Sequence, residues 1–326
     1  MEKYLRKCLD SLIVSDEEME FLEVLVINDG SKDTSLQIAL EYESRFPKAF
    51  RVIDKENGNY GSCINRGLKE ATGKYVKVLD ADDYFDTNEF GKYINRLSKT
   101  DADLIITDFR KVDCEYKEVG IYSYKDILDE KVCYDLKQIT NRLQLQMHAV
   151  TYKTDNLLRI NYRQTEGISY TDQEWIFYPM AAVDKIEYFN ITLYQYLVGR
   201  EGQTMDVKIR QKSFGAEITI FKRMLEYYNN QDKNVIYYDY LTNFIQGRIR
   251  NIYENILFGG INCDLNEFDM YLKQYCDYEW LDNISSFSKY KIVKEFRKYR
   301  NVKALKKSLK YKLVLFYLTL KRRNKN

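Results

Sequence analysis

Between residues 23 and 109 the chain alternates short β-branched runs with helix-length segments, and no other feature restricts its fold as much. "EVLVI" (23–27), "FRVIDKEN" (50–57), "KYVKVLD" (74–80) and "ADLIITDF" (102–109) read as strands. Residues 34–46 and 88–100 read as helices, as does the loop-fed segment 59–73, which stops at Gly73. A further helix over 4–13 places Leu5, Cys8, Leu9 and Leu12 on one face. Strands separated by helices of this length predict βαβ units and a mostly parallel central sheet flanked by helices. From about residue 205 helical spacing dominates and lysine becomes frequent. The expected organisation is an α/β domain over 1–205 followed by a helical region over 206–326.

Composition narrows the chemistry. A single histidine, His148, leaves no material for a His-based metal cluster or a Ser-His triad. The six cysteines form no Cys-x-x-Cys pair, so they read as reduced core residues of a cytoplasmic protein. A net charge of +2 calls for no nucleic-acid partner. The apolar run "LVLFYLTL" (313–320) is too short to span a bilayer.

Three polar clusters fall at the expected carboxyl ends of strands, where open α/β sheets bind ligands: "NDGSKD" (28–33), "NGNYGS" (57–62) and "DADD" (80–83). A glycine-rich turn opening a helix offers backbone N–H groups to an anion. An acidic strand end offers hard oxygen ligands to Mn²⁺ or Mg²⁺, ions that also bind substrate phosphates. Each cluster alone has a plainer reading, as a turn, a loop or a solvated helix cap. Their order and spacing together point to a metal–diphosphate site.

The stretch "VLVINDGSKDTS … NGNYGSCINRGLKEATGKYVKVLDADDYF" closely resembles the family 2 glycosyltransferases of GT-A fold, which carry an NDGSxD turn, a central asparagine–glycine segment and a D-x-D signature in this order. The resemblance covers about residues 2–205 and implies an inverting transfer of sugar from a nucleotide sugar, most often a UDP-sugar, to an acceptor hydroxyl. It implies that Asp29 contacts the base or ribose, with Gly30, Ser31 and Asn57 also at the nucleotide sugar. Asp80 would lie against the ribose or metal shell, Asp82 would ligate the cation, and Asp83 would assist. Asn65 and Gly67 match the central segment, while Ile64 stands where many members have arginine.

The segment "QTEGISYTDQEWIFYP" (164–179) is similar to the family's E-G-x-x-x-x-D region, which makes Asp172 the general base, with Glu166 and Glu174 as alternatives. Read without the family, the same residues form a loop that opens a helix over 172–182, capped by Thr171 or Asp172. "YQYLVGREGQTM" (194–205) resembles the late motif, in which Arg200 stabilises the diphosphate and Gln203 and Thr204 bond acceptor or phosphate. His148 and Trp175 are candidates for the acceptor site or ordinary structural residues.

"NGNYGSCIN" resembles a bacterial subgroup of surface-polysaccharide enzymes, which implies a glycan or lipid-linked acceptor. The segment 301–326 carries Lys and Arg but no Asp or Glu. It suits either an interfacial helix on an anionic membrane, peripheral on the inner face of the plasma membrane, or a basic helix packed on the domain. Family members begin with a strand ahead of the "EKYLRKCLDSL" helix, so an N-terminally truncated domain lacking that strand is expected. The rival readings are a non-catalytic nucleotide-binding partner subunit and a nucleotidyltransferase, whose glycine- and basic-rich signature is not visible.

Overall fold

A computed structural model describes residues 1–140, 142–168, 170–200, 207–258, 261, 263–276 and 312. Gln203, Thr204 and, apart from Lys312, the basic segment 301–326 lie outside the described residues. The order begins α1 (Glu2–Asp10), α2 (Asp16–Met19), β1 (Val24–Asp29), α3 (Ser35–Arg45), β2 (Phe50–Lys55), α4 (Asn59–Glu70), β3 (Tyr75–Val76), β4 (Tyr84–Phe85) and α5 (Thr87–Leu97). It continues with β5 (Leu104–Val112), β6 (Glu118–Tyr122), β7 (Cys133–Asp135), α6 (Leu136–Ile139), β8 (Val150–Lys153), α7 (Thr154–Arg159) and β9 (Lys185–Leu197). Three helices follow: α8 (Val207–Asn229), α9 (Tyr238–Phe258) and α10 (Leu265–Tyr275).

The sheet is mixed, which corrects the expectation of a mostly parallel one. β1 and β2 form a separate parallel pair. The larger sheet runs β3-β8-β5-β9-β4, with β6 on β5 and β7 on β9. Within it only β5 and β9 are parallel; the pairs β3–β8, β4–β9, β5–β6, β5–β8 and β7–β9 are antiparallel. Local periodicity tells that a segment is a strand, but direction is set by partners far along the chain.

The core is built on β5. Leu104, Ile105 and Ile106 are fully buried, beside Ile186 and Tyr188 of β9. Phe90, Tyr93 and Ile94 on one face of α5 are buried with them, each such side chain contributing roughly 1.5–3 kcal/mol. Asp86 caps α5, accepting from the N–H groups of Asn88 and Glu89 at 3.2 Å, so the cap falls just beyond the DADD cluster.

Two expected elements differ. The 74–80 strand is paired only at Tyr75 and Val76; beyond them Lys77 Nζ, rather than the backbone, reaches the carbonyls of His148 (2.8 Å) and Val150 (3.2 Å). The helix over 172–182 is replaced by two 3₁₀ turns, Thr171–Ile176 and Tyr178–Ala182. Pro179 lacks the N–H that a continuous helix needs, and Tyr170 enters the first turn at φ 66°.

The chain divides into two units, one of Met1–Ile209 with Asn234–Tyr240, the other of Arg210–Lys233 with the residues from Leu241 onward. The second unit buries Phe221, Leu225, Ile245 and Ile249 and holds a paired Glu217–Arg248. Among the described residues no helix is long and apolar enough to cross a membrane.

Candidate functional site

The first turn of α4 organises the site, because three successive contacts fix it to three other segments. At Gly58, just before the helix, the N–H donates to Asp29 Oδ1 at 2.9 Å. Two residues later the buried Tyr60 hydroxyl donates to Met147 Sδ at 3.5 Å, close to the Asp80 carboxylate. Next, Gly61 approaches Thr165 so closely that a Cβ there would lie 1.9 Å from the Thr165 carbonyl oxygen. Only glycine permits that approach.

Asp29, at the end of β1, is saturated by the protein itself. Lys55 Nζ pairs with its Oδ1, and Ser62 Oγ lies 3.5 Å from the same atom. Burial pushes the Asp29 carboxyl up, but hydrogen bonds from Lys55 and Gly58 outweigh it and leave the pKa lowered. Asn57 Nδ2 donates to the Asp29 carbonyl at 3.0 Å, and Gly30 turns the chain at φ 66°. Ser31 is exposed on the same turn. Thus Asp29, Gly30, Ser31 and Asn57 share one surface.

The acidic end of the 75–80 segment is the opposite case. Burial raises Asp80 to about 7, reinforced by the nearby Asp82 and Asp172 carboxylates. Arg200, which follows β9, forms an ion pair with Asp82, both side chains being mostly enclosed. Asp83 is 1% exposed and fully engaged, taking a hydrogen bond from Tyr194 Oη at 2.7 Å and from the Leu197 N–H at 2.8 Å. Burial, then Asp80 and Asp82, pushes it up to about 8. Asp83 therefore fastens β9 to the acidic loop, in place of the expected assisting role.

Asp172 comes to this place on the 164–176 loop, which is held from several sides. Asn65 of α4 bonds reciprocally with Gln164, donating to its carbonyl at 2.9 Å and accepting from its N–H at 2.8 Å, and donates to Glu166 Oε1 at 2.7 Å. Glu174 is 1% exposed and accepts from both the N–H (2.7 Å) and hydroxyl (2.8 Å) of Thr165. Gln164 Nε2 in turn donates to the carbonyl of Thr171 at 2.8 Å. Asn65 thereby holds this loop, and Glu174 is an internal brace rather than a base. Asp172 stands as the carboxylate of this loop that faces Asp80 electrostatically.

The remaining candidates scatter. Trp175 is 1% exposed and packs edge-on against Tyr152 and Tyr162, a core position that corrects its acceptor-site reading. His148 lies among Phe109, Tyr194 and Tyr196, at ring-centroid distances of 5.1, 4.8 and 4.4 Å. Burial, then Lys77 and Lys111, lowers its pKa to about 3, so it is a neutral ring behind the acidic loop rather than an acceptor contact. Gly67 makes no close approach that would require glycine.

Lys55, Tyr60 and Tyr194 were not singled out by the sequence. Lys55 lies just before the NGNYGS motif and Tyr60 within it, so a search for the groups around Asp29 and Asp80 would have found them. Tyr194 is brought in by β9 from more than a hundred residues away and left no local signal.

The carboxylates suit a divalent cation only in part. Among the described residues no three metal-ligating side chains converge as a cage. Asp80 and Asp82 supply hard oxygens, and burial, then the Asp82 and Asp172 carboxylates, pushes Asp80 up. Two carboxylates completed by substrate phosphates form the kind of set that Mn²⁺ and Mg²⁺ accept.

A family profile described as Glycosyl transferase family 2 matches residues 1–150. An uncharacterized glycosyltransferase of Mycoplasma pneumoniae, an MG060 homolog, is 30% identical over 226 residues, covering 67% of this chain and 72% of that protein. The uncharacterized glycosyltransferase EpsJ of Bacillus subtilis is 32% identical over 111 residues, which is 34% of this chain and 31% of EpsJ. Among solved structures, S. aureus TarS 1-349 in complex with UDP-GlcNAc superimposes with a TM-score of 0.68 at 17% identity, covering 98% of this chain and 88% of that one. The mannosyltransferase PcManGT of Pyrobaculum calidifontis, in complex with GDP-Man and Mn2+, gives 0.51 at 12% identity over 94% and 83%.

Proposed function

The chain belongs to the family 2 glycosyltransferases, and from that premise we propose that it moves a sugar from a nucleotide-diphosphate sugar to an acceptor hydroxyl, with inversion. The observation that carries this reading is the meeting of Asp80, Asp82, Asp172 and Arg200, drawn from three distant segments. Asp172 accepts the proton of the attacking hydroxyl as the new bond forms, a contribution of about 10²–10⁴-fold. The Tyr60 hydroxyl lies buried beside Asp80 and shields that carboxylate from water. Arg200 exchanges Asp82 for the departing diphosphate, which its guanidinium binds in a fixed geometry. Asp82 and Asp80 would hold a Mn²⁺ or Mg²⁺ ion, which when bound neutralises the charge of the nucleoside diphosphate. Asp29, with Gly30, Ser31 and Asn57, lines the side where base and ribose would lie.

That TarS was solved with UDP-GlcNAc supports a UDP-sugar donor, and the resemblance of NGNYGSCIN to bacterial surface-polysaccharide enzymes supports a glycan or lipid-linked acceptor in surface polysaccharide or glycolipid synthesis. The basic segment 301–326 fits the same setting, as a contact with anionic lipid.

The experiment is nucleoside-diphosphate release from a panel of UDP- and GDP-sugars, with Mn²⁺ and a polyprenyl-diphosphate-sugar acceptor. Acceptor-dependent release that Asp82→Asn and Asp172→Asn abolish is expected. A chain that binds nucleotide yet turns over no donor, with both variants equal to the parent, is a non-catalytic subunit instead.

A further inference from the structure

A half-open cavity of about 430 Å³ runs along the flank of α4 that faces away from Asp80. Its floor is apolar: Leu68, Leu157 and Tyr162 are buried there, and Leu158 is 49% exposed. Four cations line it, and two of them are already committed. Lys55 is paired with Asp29, and Arg66 Nε lies 2.9 Å from Glu70. Lys69 and Arg163 are exposed and form no ion pair among the described residues. The one lining carboxylate, Glu166, is held by Asn65 at 2.7 Å.

Two uncommitted cations of different shape above an apolar floor suit an anion that also carries C–H surface. A guanidinium grips a phosphate through paired N–H groups, while an ammonium adds a point charge. The floor would receive the sugar face, and Glu166 would accept from a sugar hydroxyl. Position adds to the argument. Lys55 and Ser62, which hold Asp29, and Asn65 and Glu166, which hold the loop of Asp172, all line the cavity. A ligand lying here therefore runs beside the loop that carries the base.

We infer that this groove is a subsite for a phosphate group borne by the acceptor, at a distance from the hydroxyl that reacts. Calling the ligand an acceptor rests on the transferase reading; phosphate binding in the groove does not. The test uses the full chain, with lactose 1-phosphate against lactose, and phosphatidylglycerol vesicles against phosphatidylcholine vesicles. The parent is expected to bind lactose 1-phosphate at least 10-fold tighter than lactose. The double variant Lys69→Gln/Arg163→Gln is expected to lose at least 10-fold of that affinity and part of its salt dependence, while its UDP affinity and thermal midpoint match the parent. Loss on the soluble sugar identifies a glycan phosphate as the source; loss on anionic vesicles alone identifies a lipid headgroup. Equal binding of lactose and its phosphate together with no preference for phosphatidylglycerol vesicles, or a double variant that binds both probes as the parent does, overturns the inference. Release of UDP from a donor without any phosphate preference removes the groove and leaves the transferase. Phosphate preference without turnover of any donor does the reverse.

Discussion

Asp29 ends β1 and Asp80 follows β3 on the acidic loop, yet the surroundings of the two are opposite. Asp29 is met by an ammonium, a backbone N–H and a hydroxyl, and its pKa is lowered. Asp80 is buried near the Asp82 and Asp172 carboxylates, and its pKa is raised to about 7. Removing Asp29 breaks a completed arrangement, whereas removing Asp80 relieves a crowded one. Burial is the main cause of the rise at Asp80, and the cation of a ligand would offset the repulsive share that Asp82 and Asp172 add.

The sharpest division between the two is made at Asp172, the neighbour that crowds Asp80. Asp172→Asn should lower the transfer rate by about 10²–10⁴-fold, with UDP affinity changed less than about 2-fold by direct titration. Unchanged transfer would remove Asp172 from the chemistry. Next in size, Asp29→Ala strands Lys55 and the Gly58 N–H and should cost about 1–3 kcal/mol in urea unfolding. Asp80→Asn should show the opposite sign, a higher thermal midpoint for the metal-free protein. If both variants destabilise alike, the contrast fails.

Arg200→Gln frees Asp82 of its internal cation. Mn²⁺ affinity without nucleotide, read by electron paramagnetic resonance, should then rise by about 3–10-fold as one competing unit charge is lost, while UDP affinity with Mn²⁺ falls. The smallest effect is in pH. The folded protein holds protons on Asp80 and Asp83 that the unfolded chain has released above about 4. Metal-free stability should therefore decline as pH rises toward their folded values of about 7 and 8. The contribution of Asp29, whose pKa is lowered, is instead lost as pH falls below about 4. Asp83→Asn should flatten the slope between pH 5 and 8, checked by thermal midpoints across that range.

How much of this was legible differs by residue. The β-branched runs and helical spacings located β1, β2, β5, α3, α4 and α5 to within a few residues, because these elements satisfy their own periodicity. DADD, as the acidic end of an apolar run, marked the charged centre. Strand direction stayed hidden, since β8, β9 and the two-residue β4 are paired by tertiary contacts. Asn65 was hidden for a related reason. Its motif fits a ligand contact, while its three hydrogen bonds to residues 164–166 bridge about a hundred positions. The 172–182 segment has helical spacing, but Pro179 and the bracing of Glu174 keep it as two short turns.

Gly61 carries a consequence for anyone screening this chain by saturation mutagenesis. With the Thr165 carbonyl where its side chain would begin, every replacement must push the two backbones apart. The displaced strip is the one that leads to Asp172, 111 positions later in the chain. Position 61 will thus score among the most intolerant sites for turnover, ranking with the base itself, although glycine offers no group that reacts. Its intolerance should respond to temperature and to stabilising second-site changes, which those of Asp172 will not.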